Sequence, residues 1–155
     1  MNKYYIVSGG FDPIHEGHIE NIQESWMRSD GVIALVNSDD WLCRKKGNNF
    51  MSFSTRSTIV KSIKGVMDVI EFDDSDDSAC DGLRRARTKY PNDILIFAKG
   101  GDRTADNIPE IGVCDELGIE IKYNIGFSIS GKSKPNSSSR ILNKYIDKCL
   151  KNEKT

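Results

Sequence analysis

The chain has 155 residues, with 22 Lys and Arg against 23 Asp and Glu, a formal net charge of −1. That length supports one domain with its own core, and the near-neutral charge excludes a surface built to coat nucleic acid. Hydrophobic residues make up 37 % and charged residues 29 %, an ordinary water-facing balance, and no apolar run reaches membrane-spanning length. The first ten residues lack the apolar stretch of a secretion signal, so a cytoplasmic protein without a membrane partner is expected. Cys43, Cys80, Cys114 and Cys149 lie far apart with no Cys-x-x-Cys pair, which predicts free thiols rather than a zinc site.

The predicted elements alternate along the chain. Residues 4–8 read as a buried strand ending in Gly9-Gly10. A helix over 16–28 carries Ile19, Ile22 and Trp26 at helical spacing. Residues 32–36, Val-Ile-Ala-Leu-Val, form a second strand whose unbroken apolar run suits burial on both faces. A helix over 56–64 puts Ile59, Val60 and Ile63 on one face, and 68–72 is a short third strand. The run Asp73-Asp74-Ser75-Asp76-Asp77-Ser78 is a polar turn able to cap the helix predicted over 79–90. The fourth strand, 94–98, leads to a second glycine pair, Gly100-Gly101. A helix over 108–117 with Pro109 at its start, a strand over 120–125 and a Gly-, Ser- and Lys-containing loop over 128–136 follow. An amphipathic helix over 138–150 closes a single domain spanning 1–150, and 151–155 is expected to fray. This alternation predicts an α/β fold, a parallel sheet covered by helices on both faces. Ligands of such sheets bind beyond the carboxyl ends of the strands, the edge on which both glycine pairs fall.

The chain has only two histidines, and both lie in Gly9-Gly10-Phe11-Asp12-Pro13-Ile14-His15-Glu16-Gly17-His18. A helix beginning near His15 would put both rings on one face. Backbone N–H groups and the helix dipole favour an anion at that terminus. Gly17 leaves room for a nucleotide to approach the backbone, and Gly9-Gly10 lets the chain leave the strand sharply. A triphosphate site is the reading favoured. The others are a surface helix with incidental histidines, or half a metal site with no third His or Cys nearby.

The pattern Gly-x-Phe-Asp-x-x-His-x-Gly-His resembles the signature of the cytidylyltransferase-like nucleotidyltransferases, and the resemblance extends from residue 4 to about residue 142. It implies a Rossmann-like parallel five-stranded sheet in the order 3-2-1-4-5. It assigns Gly9, Gly10, Phe11 and Gly17 to the nucleotide and Asp12 to the substrate side. Asn37-Ser38-Asp39 falls where cytidylyl-transferring members meet the acceptor, Lys45 at a catalytic lysine, and Arg56 at a substrate-side arginine. Lys46 is an adjacent candidate, and Gly47 replaces a second family lysine; otherwise Arg44-Lys45-Lys46 is a solvated loop. Phe97-Ala98-Lys99-Gly100-Gly101-Asp102 resembles the Val-Lys-Gly-Gly-Asp of adenylyl-transferring members. It implies that Gly101 and Asp102 meet the ribose and base, where a carboxylate can accept from hydroxyls. The alternative is a capped strand-end turn. Asn136-Ser137-Ser138-Ser139-Arg140-Ile141 resembles the family's Ile-Ser-Thr-Thr-Lys-Ile, which implies that Ser137, Ser138, Ser139 and Arg140 hold the β- and γ-phosphates. Alternatively the serines only cap a helix.

A competing pattern occurs from Gly126 to Ser133, which satisfies the P-loop spacing Gly-x4-Gly-Lys-Ser. Pro135 interrupts the helix that a P-loop must start, and too little chain follows to supply the acidic residue that helps hold Mg²⁺. A P-loop phosphotransferase is the weaker reading, and a nucleotide-binding module without turnover is a further alternative. Lys132 and Lys134 remain candidates for phosphate contact.

The resemblance implies transfer of CMP or AMP, from CTP or ATP, to a phosphorylated small molecule with release of pyrophosphate. His15 and His18 would contact the triphosphate, Lys45 would neutralise the α-phosphate and acceptor, and Asp39 and Arg56 would orient the acceptor. Mg²⁺ would arrive with the NTP. A homodimer is expected, with no nucleic-acid partner. Lys99 to Asp102 leans to adenylyl transfer, and the spacing of Asp39, Lys45 and Arg56 leans to cytidylyl transfer.

Overall fold

The structure, a computed structural model, describes residues 1–100, 108–123, 125 and 137–153. Its elements run β1 (Lys3–Gly9), α1 (Glu16–Met27), β2 (Gly31–Val36), α2 (Asp39–Lys46), α3 (Phe53–Lys61), β3 (Val66–Glu71), α4 (Cys80–Lys89), β4 (Ile94–Ala98), α5 (Ile111–Leu117), β5 (Glu120–Lys122) and α6 (Ser138–Glu153). The strands form one five-stranded sheet in the order β3-β2-β1-β4-β5, and every pairing is parallel. The expected α/β fold and strand order are both present.

Side-chain alternation along the strands sends apolar residues to both faces. Tyr5, Val7, Val32, Ala34 and Ile96 pack with Ile22 and Trp26 of α1 and Val60 of α3. Tyr4, Ile6, Ile33, Leu35 and Phe97 pack with Leu83 and Ala86 of α4 and Cys114 of α5. β2 is buried along its whole length, as its continuous apolar run requires. The two halves of the sheet diverge at β1, so the carboxyl end of β1 is the switch point where such folds hold ligands. Among the described residues no helix is long and apolar enough to cross a membrane.

Several elements differ from the sequence expectation. Helix α2 is absent from it. Its signals are local: Ser38 caps with its hydroxyl accepting from Trp41 N at 3.0 Å, acids occupy the first turn, bases the last, and Gly47 ends it at φ 83°. Only Leu42 of this helix is buried, so it carries no apolar periodicity. Helix α3 begins at Phe53, three residues early, because Ser52 caps Thr55 N. Helix α5 begins three residues late, after the Ile108-Pro109-Glu110 turn, and β5 ends at Lys122 instead of continuing to Ile125. Helix α6 continues through Lys151 to Glu153, where fraying was expected. All four cysteines are free, with Cys80 and Cys114 buried.

Candidate active site

The carboxyl ends of β1, β2 and β4 meet at one edge. Asn37 N donates to Gly9 O at 2.9 Å, which holds the ends of β1 and β2 side by side. The chain then turns at Gly10, where a Cβ would stand 2.8 Å from Leu42 Cδ2 of α2. Only glycine lets α2 pack this close. Phe11 follows at φ 54°, a backbone region costly for a non-glycine residue. It is buried, and its ring lies 4.9 Å from that of His18.

The two histidines cap α1 reciprocally. His15 Nδ1 accepts from Gly17 N at 3.0 Å, and His18 Nδ1 accepts from His15 N at 3.2 Å. Their ring centroids are 4.0 Å apart. An accepting Nδ1 carries no proton, so each neutral ring keeps its proton on Nε2. Burial lowers the pKa of His15 and holds that of His18 down at about 3, with Lys46 pushing both the same way and His15 adding to the shift on His18. The pair is therefore two neutral Nε2–H donors at a helix start. Such donors suit an anion and supply little acid catalysis at neutral pH.

Asp12, Asp39 and Arg56, expected to face the acceptor, form a braced floor. Asp12 is buried, and its carboxylate accepts from Phe50 N at 2.6 Å and Met51 N at 2.7 Å. Arg56 is 0 % exposed. Its guanidinium donates to Met51 O at 3.0 Å, Gly10 O at 2.8 Å, Asn37 O at 2.7 Å and Asp39 Oδ1 at 2.7 Å. The polar atoms of Asp12 and Arg56 are thus directed to the protein and fix the loops around the site. Of the three, Asp39 keeps a partly exposed carboxylate. Asp74 braces the same corner from β3's end, its carboxylate accepting from Asn37 Nδ2, Ser38 N and Ser38 Oγ at 3.0, 2.8 and 2.7 Å.

The two lysines of α2 diverge. Lys46 Nζ reaches Asp12 O at 3.5 Å. Partial burial lowers its pKa, opposed by the nearby Asp12 carboxylate, and its charge is felt by both histidines. Lys45 stands with Nζ 5.9 Å from the Trp41 ring centroid. It borders a cleft of about 280 Å³ that also touches Gly9, Asn21, Asn37, Lys99 and Glu110. Sequence reasoning left Asn21, Trp41 and Glu110 out of the site. Glu110 carried the signal of an ordinary acid near a helix start, and its approach to the cleft depends on how α4 and α5 pack.

Helix α6 brings its start to the histidine loop. Ser138 Oγ donates to Pro13 O at 2.7 Å, and Ser137 Oγ accepts from Arg140 N at 3.1 Å. Ser139 lines a second groove with Lys46 and Phe50, and Arg140 is exposed. Gly101, Asp102 and the P-loop-like stretch with Lys132 and Lys134 lie outside the described residues.

Comparison with known proteins agrees with this fold and motif. The profile of the family described as Cytidylyltransferase-like matches residues 6–144. Among curated proteins, the bifunctional protein HldE of Geobacter metallireducens is 26 % identical over 145 residues, 92 % of this chain and 28 % of that protein. HldE of Nitrosococcus oceani is 32 % identical over 105 residues, 66 % of this chain and 20 % of that protein. The chain thus spans between a fifth and a third of the length of these relatives. Among solved structures, a lipopolysaccharide core biosynthesis protein from Thermoplasma volcanium aligns with a TM-score of 0.60 at 22 % identity, over 79 % of this chain and 94 % of that one. A bifunctional NMN adenylyltransferase/ADP ribose pyrophosphatase from Francisella tularensis, complexed with AMP and a manganese ion, aligns with a TM-score of 0.65 at 18 % identity, over 95 % of this chain and 42 % of that one. With the histidine motif at the end of β1 and a profile match over most of its length, the chain belongs to the cytidylyltransferase-like family of nucleotidyltransferases.

Proposed function

We propose that this protein transfers CMP or AMP from CTP or ATP to a phosphorylated sugar or polyol. The observation that carries the proposal is the reciprocal histidine cap, which leaves two Nε2–H donors beside a helix start, where an anion is favoured. An acceptor phosphate oxygen attacks the α-phosphorus, the bond to the bridging oxygen breaks, and pyrophosphate leaves with the electron pair. The acceptor oxygen is already anionic near neutral pH, so no strong base is needed. Positioning and charge stabilisation carry the reaction. His15 and His18 donate to the triphosphate and follow charge onto the leaving group, with Gly9, Gly10, Phe11 and Gly17 shaping the turn that receives it. Lys46 adds positive charge beside them, and Lys45 neutralises the acceptor and α-phosphate from the cleft side. Asp39 orients the acceptor, held in place by Arg56, while Asp12 fixes the loop at Phe50 and Met51.

Among the described residues no group of three or more His, Cys, Asp or Glu can hold a metal ion. Mg²⁺ would be carried by the triphosphate, whose charge it would neutralise. The serine run at the start of α6 would contact the β- and γ-phosphates, and Gly101 and Asp102 the nucleoside. The working protein is proposed to be a homodimer.

The test uses CTP or ATP labelled at the γ-phosphate, with Mg²⁺ and a panel of sugar and polyol phosphates. Label is expected in pyrophosphate, with the nucleoside monophosphate on the acceptor. Label in orthophosphate or on the acceptor would mean attack at the γ-phosphorus and would overturn the proposal.

A further inference from the structure

The cleft at the sheet edge contains a carboxylate for which the phosphate chemistry has no use. Glu110, the residue before α5, is 4 % exposed. Its Oε1 accepts from Ala79 N at 3.0 Å. Ala79 begins α4 without a side-chain cap of its own, so Glu110 caps that helix from a distance. This accounts for one oxygen. Oε2 is buried and has no donor within hydrogen-bond distance, and Glu110 lines the cleft beside Asn37, Trp41, Ser78 and Lys99. Asn21 Oδ1, on the α1 side of the same cleft, is likewise buried without a donor.

A buried acceptor oxygen without a donor is destabilising, and a ligand group entering the cleft that donates to it would relieve that cost. A carboxylate accepts and does not donate, and it repels phosphate. The group that meets Oε2 is therefore a hydroxyl or amine. Its position favours the acceptor over the nucleotide. The histidines belong to α1, which packs on one face of the sheet with Val60 of α3. Glu110 is tied to the start of α4, which packs on the other face with Cys114 of α5.

We infer that Glu110 reads a hydroxyl of the acceptor through Oε2, so that the acceptor is a polyhydroxylated phosphate ester and Glu110 sets its specificity. This rests on the proposed transfer to a sugar or polyol phosphate and adds the residue that selects for it. Lys45, at the same cleft, would take the acceptor's phosphate, while Glu110 takes the hydroxylated end.

The test compares kcat/KM for glycerol 3-phosphate, ribitol 5-phosphate and glucose 1-phosphate with their singly deoxygenated analogues and with propyl phosphate. It uses the wild type, Glu110→Gln and Glu110→Ala. Gln keeps an oxygen for Ala79 N and removes the charge at the second position; Ala removes both. The wild type is expected to favour one polyol phosphate over one of its deoxy analogues by at least ~10-fold, the scale of a hydrogen bond to a charged group. That ratio should fall to about 2-fold or less in Glu110→Ala and partway in Glu110→Gln, with KM for the NTP unchanged. Because both substrates see the same enzyme, the ratio does not depend on how much of a variant is folded. An unchanged ratio in both variants would leave Glu110 as a helix cap only and overturn the inference. A raised KM for the NTP with the ratio intact would assign Oε2 to the nucleotide and also overturn it. Pyrophosphate release with propyl phosphate at the rate of the polyols would sink the inference while leaving nucleotidyl transfer standing. No pyrophosphate release with any acceptor would sink the proposed function, and the inference with it.

Discussion

Arg56 Nη2 donates to Asp39 Oδ1 at 2.7 Å, from a side chain that is 0 % exposed to one that is 43 % exposed. The pair joins α3 to the first turn of α2, and α2 carries Lys45 and Lys46 in its last turn. The position of both lysines thus depends on a buried guanidinium that also holds three backbone carbonyls.

That asymmetry predicts different consequences for the two partners. Arg56→Ala removes the charge-assisted bonds to three backbone carbonyls, each worth about 1 kcal/mol or more, and leaves Met51 O with Asn49 Nδ2 as its side-chain donor. A loss of at least ~3 kcal/mol is expected in urea unfolding. Asp39→Asn changes a half-exposed partner and should cost under about 1 kcal/mol, while raising KM for the acceptor. Equal losses of stability in the two variants would contradict the buried brace.

The reciprocal cap separates stability from turnover at His15. Asn is among the best N-cap residues and can accept a backbone N–H from the same position. His15→Asn is therefore expected to keep its unfolding midpoint while kcat falls by about 100-fold, the scale for losing one preorganised donor to developing charge. His15→Ala should lose the same activity and, in addition, about 1 kcal/mol of stability. Near-normal turnover in His15→Asn would remove the ring from the chemistry.

The lowered pKa of His18 has a signed effect on stability. Its folded pKa is about 3 against an ordinary 6.5, set first by burial, then by His15 and by Lys46. Between these values the unfolded chain binds the proton and the folded chain does not, so stability rises with pH across that window. The contribution is fully present above pH 6.5 and is lost as pH falls toward 3. His18→Gln should flatten the dependence of unfolding free energy on pH between 4 and 6.5, measured by urea titration at each pH. An equally steep slope in the variant would mean that other groups carry it.

Lys45 and Lys46 are expected to fail in different ways. Lys46 is the cation whose charge both histidines feel, so Lys46→Ala should lower kcat by about 100-fold with little change in acceptor KM. Lys45 borders the cleft proposed for the acceptor. Lys45→Ala should reduce kcat and also raise KM for the acceptor. Steady-state kinetics with both substrates varied separates the two, and identical profiles would reject this division of roles.

The sequence alone determined the fold class and singled out the strand edge proposed for the chemistry. Strands with continuous apolar runs cannot sit at a solvent face, so Val32 to Val36 required helices on both sides of a parallel sheet. A strand end, a glycine pair and two closely spaced histidines are local features, legible because their chemistry is written within a dozen residues. Helix α2 escaped because it buries one side chain, and apolar periodicity is the signal on which helix reading depends.

Tertiary structure decided which of the legible residues are tied up in bonds within the protein. Asp12 and Arg56 carry charges that the family resemblance directs to substrate, yet folding delivers three backbone carbonyls and the Asp39 carboxylate to Arg56 and two backbone amides to Asp12. Those partners come from segments 10 to 51 residues into the chain, and nothing in the local sequence shows that they converge. Lys46, one position from the expected lysine, is turned toward the histidines because helix geometry rotates adjacent residues by about 100°. Glu110 reaches the cleft only because the start of α4 offers Ala79 N across the gap between two helices. Buried polar groups must be satisfied wherever the chain brings them together, and that requirement is met in space, between residues that no sequence spacing relates.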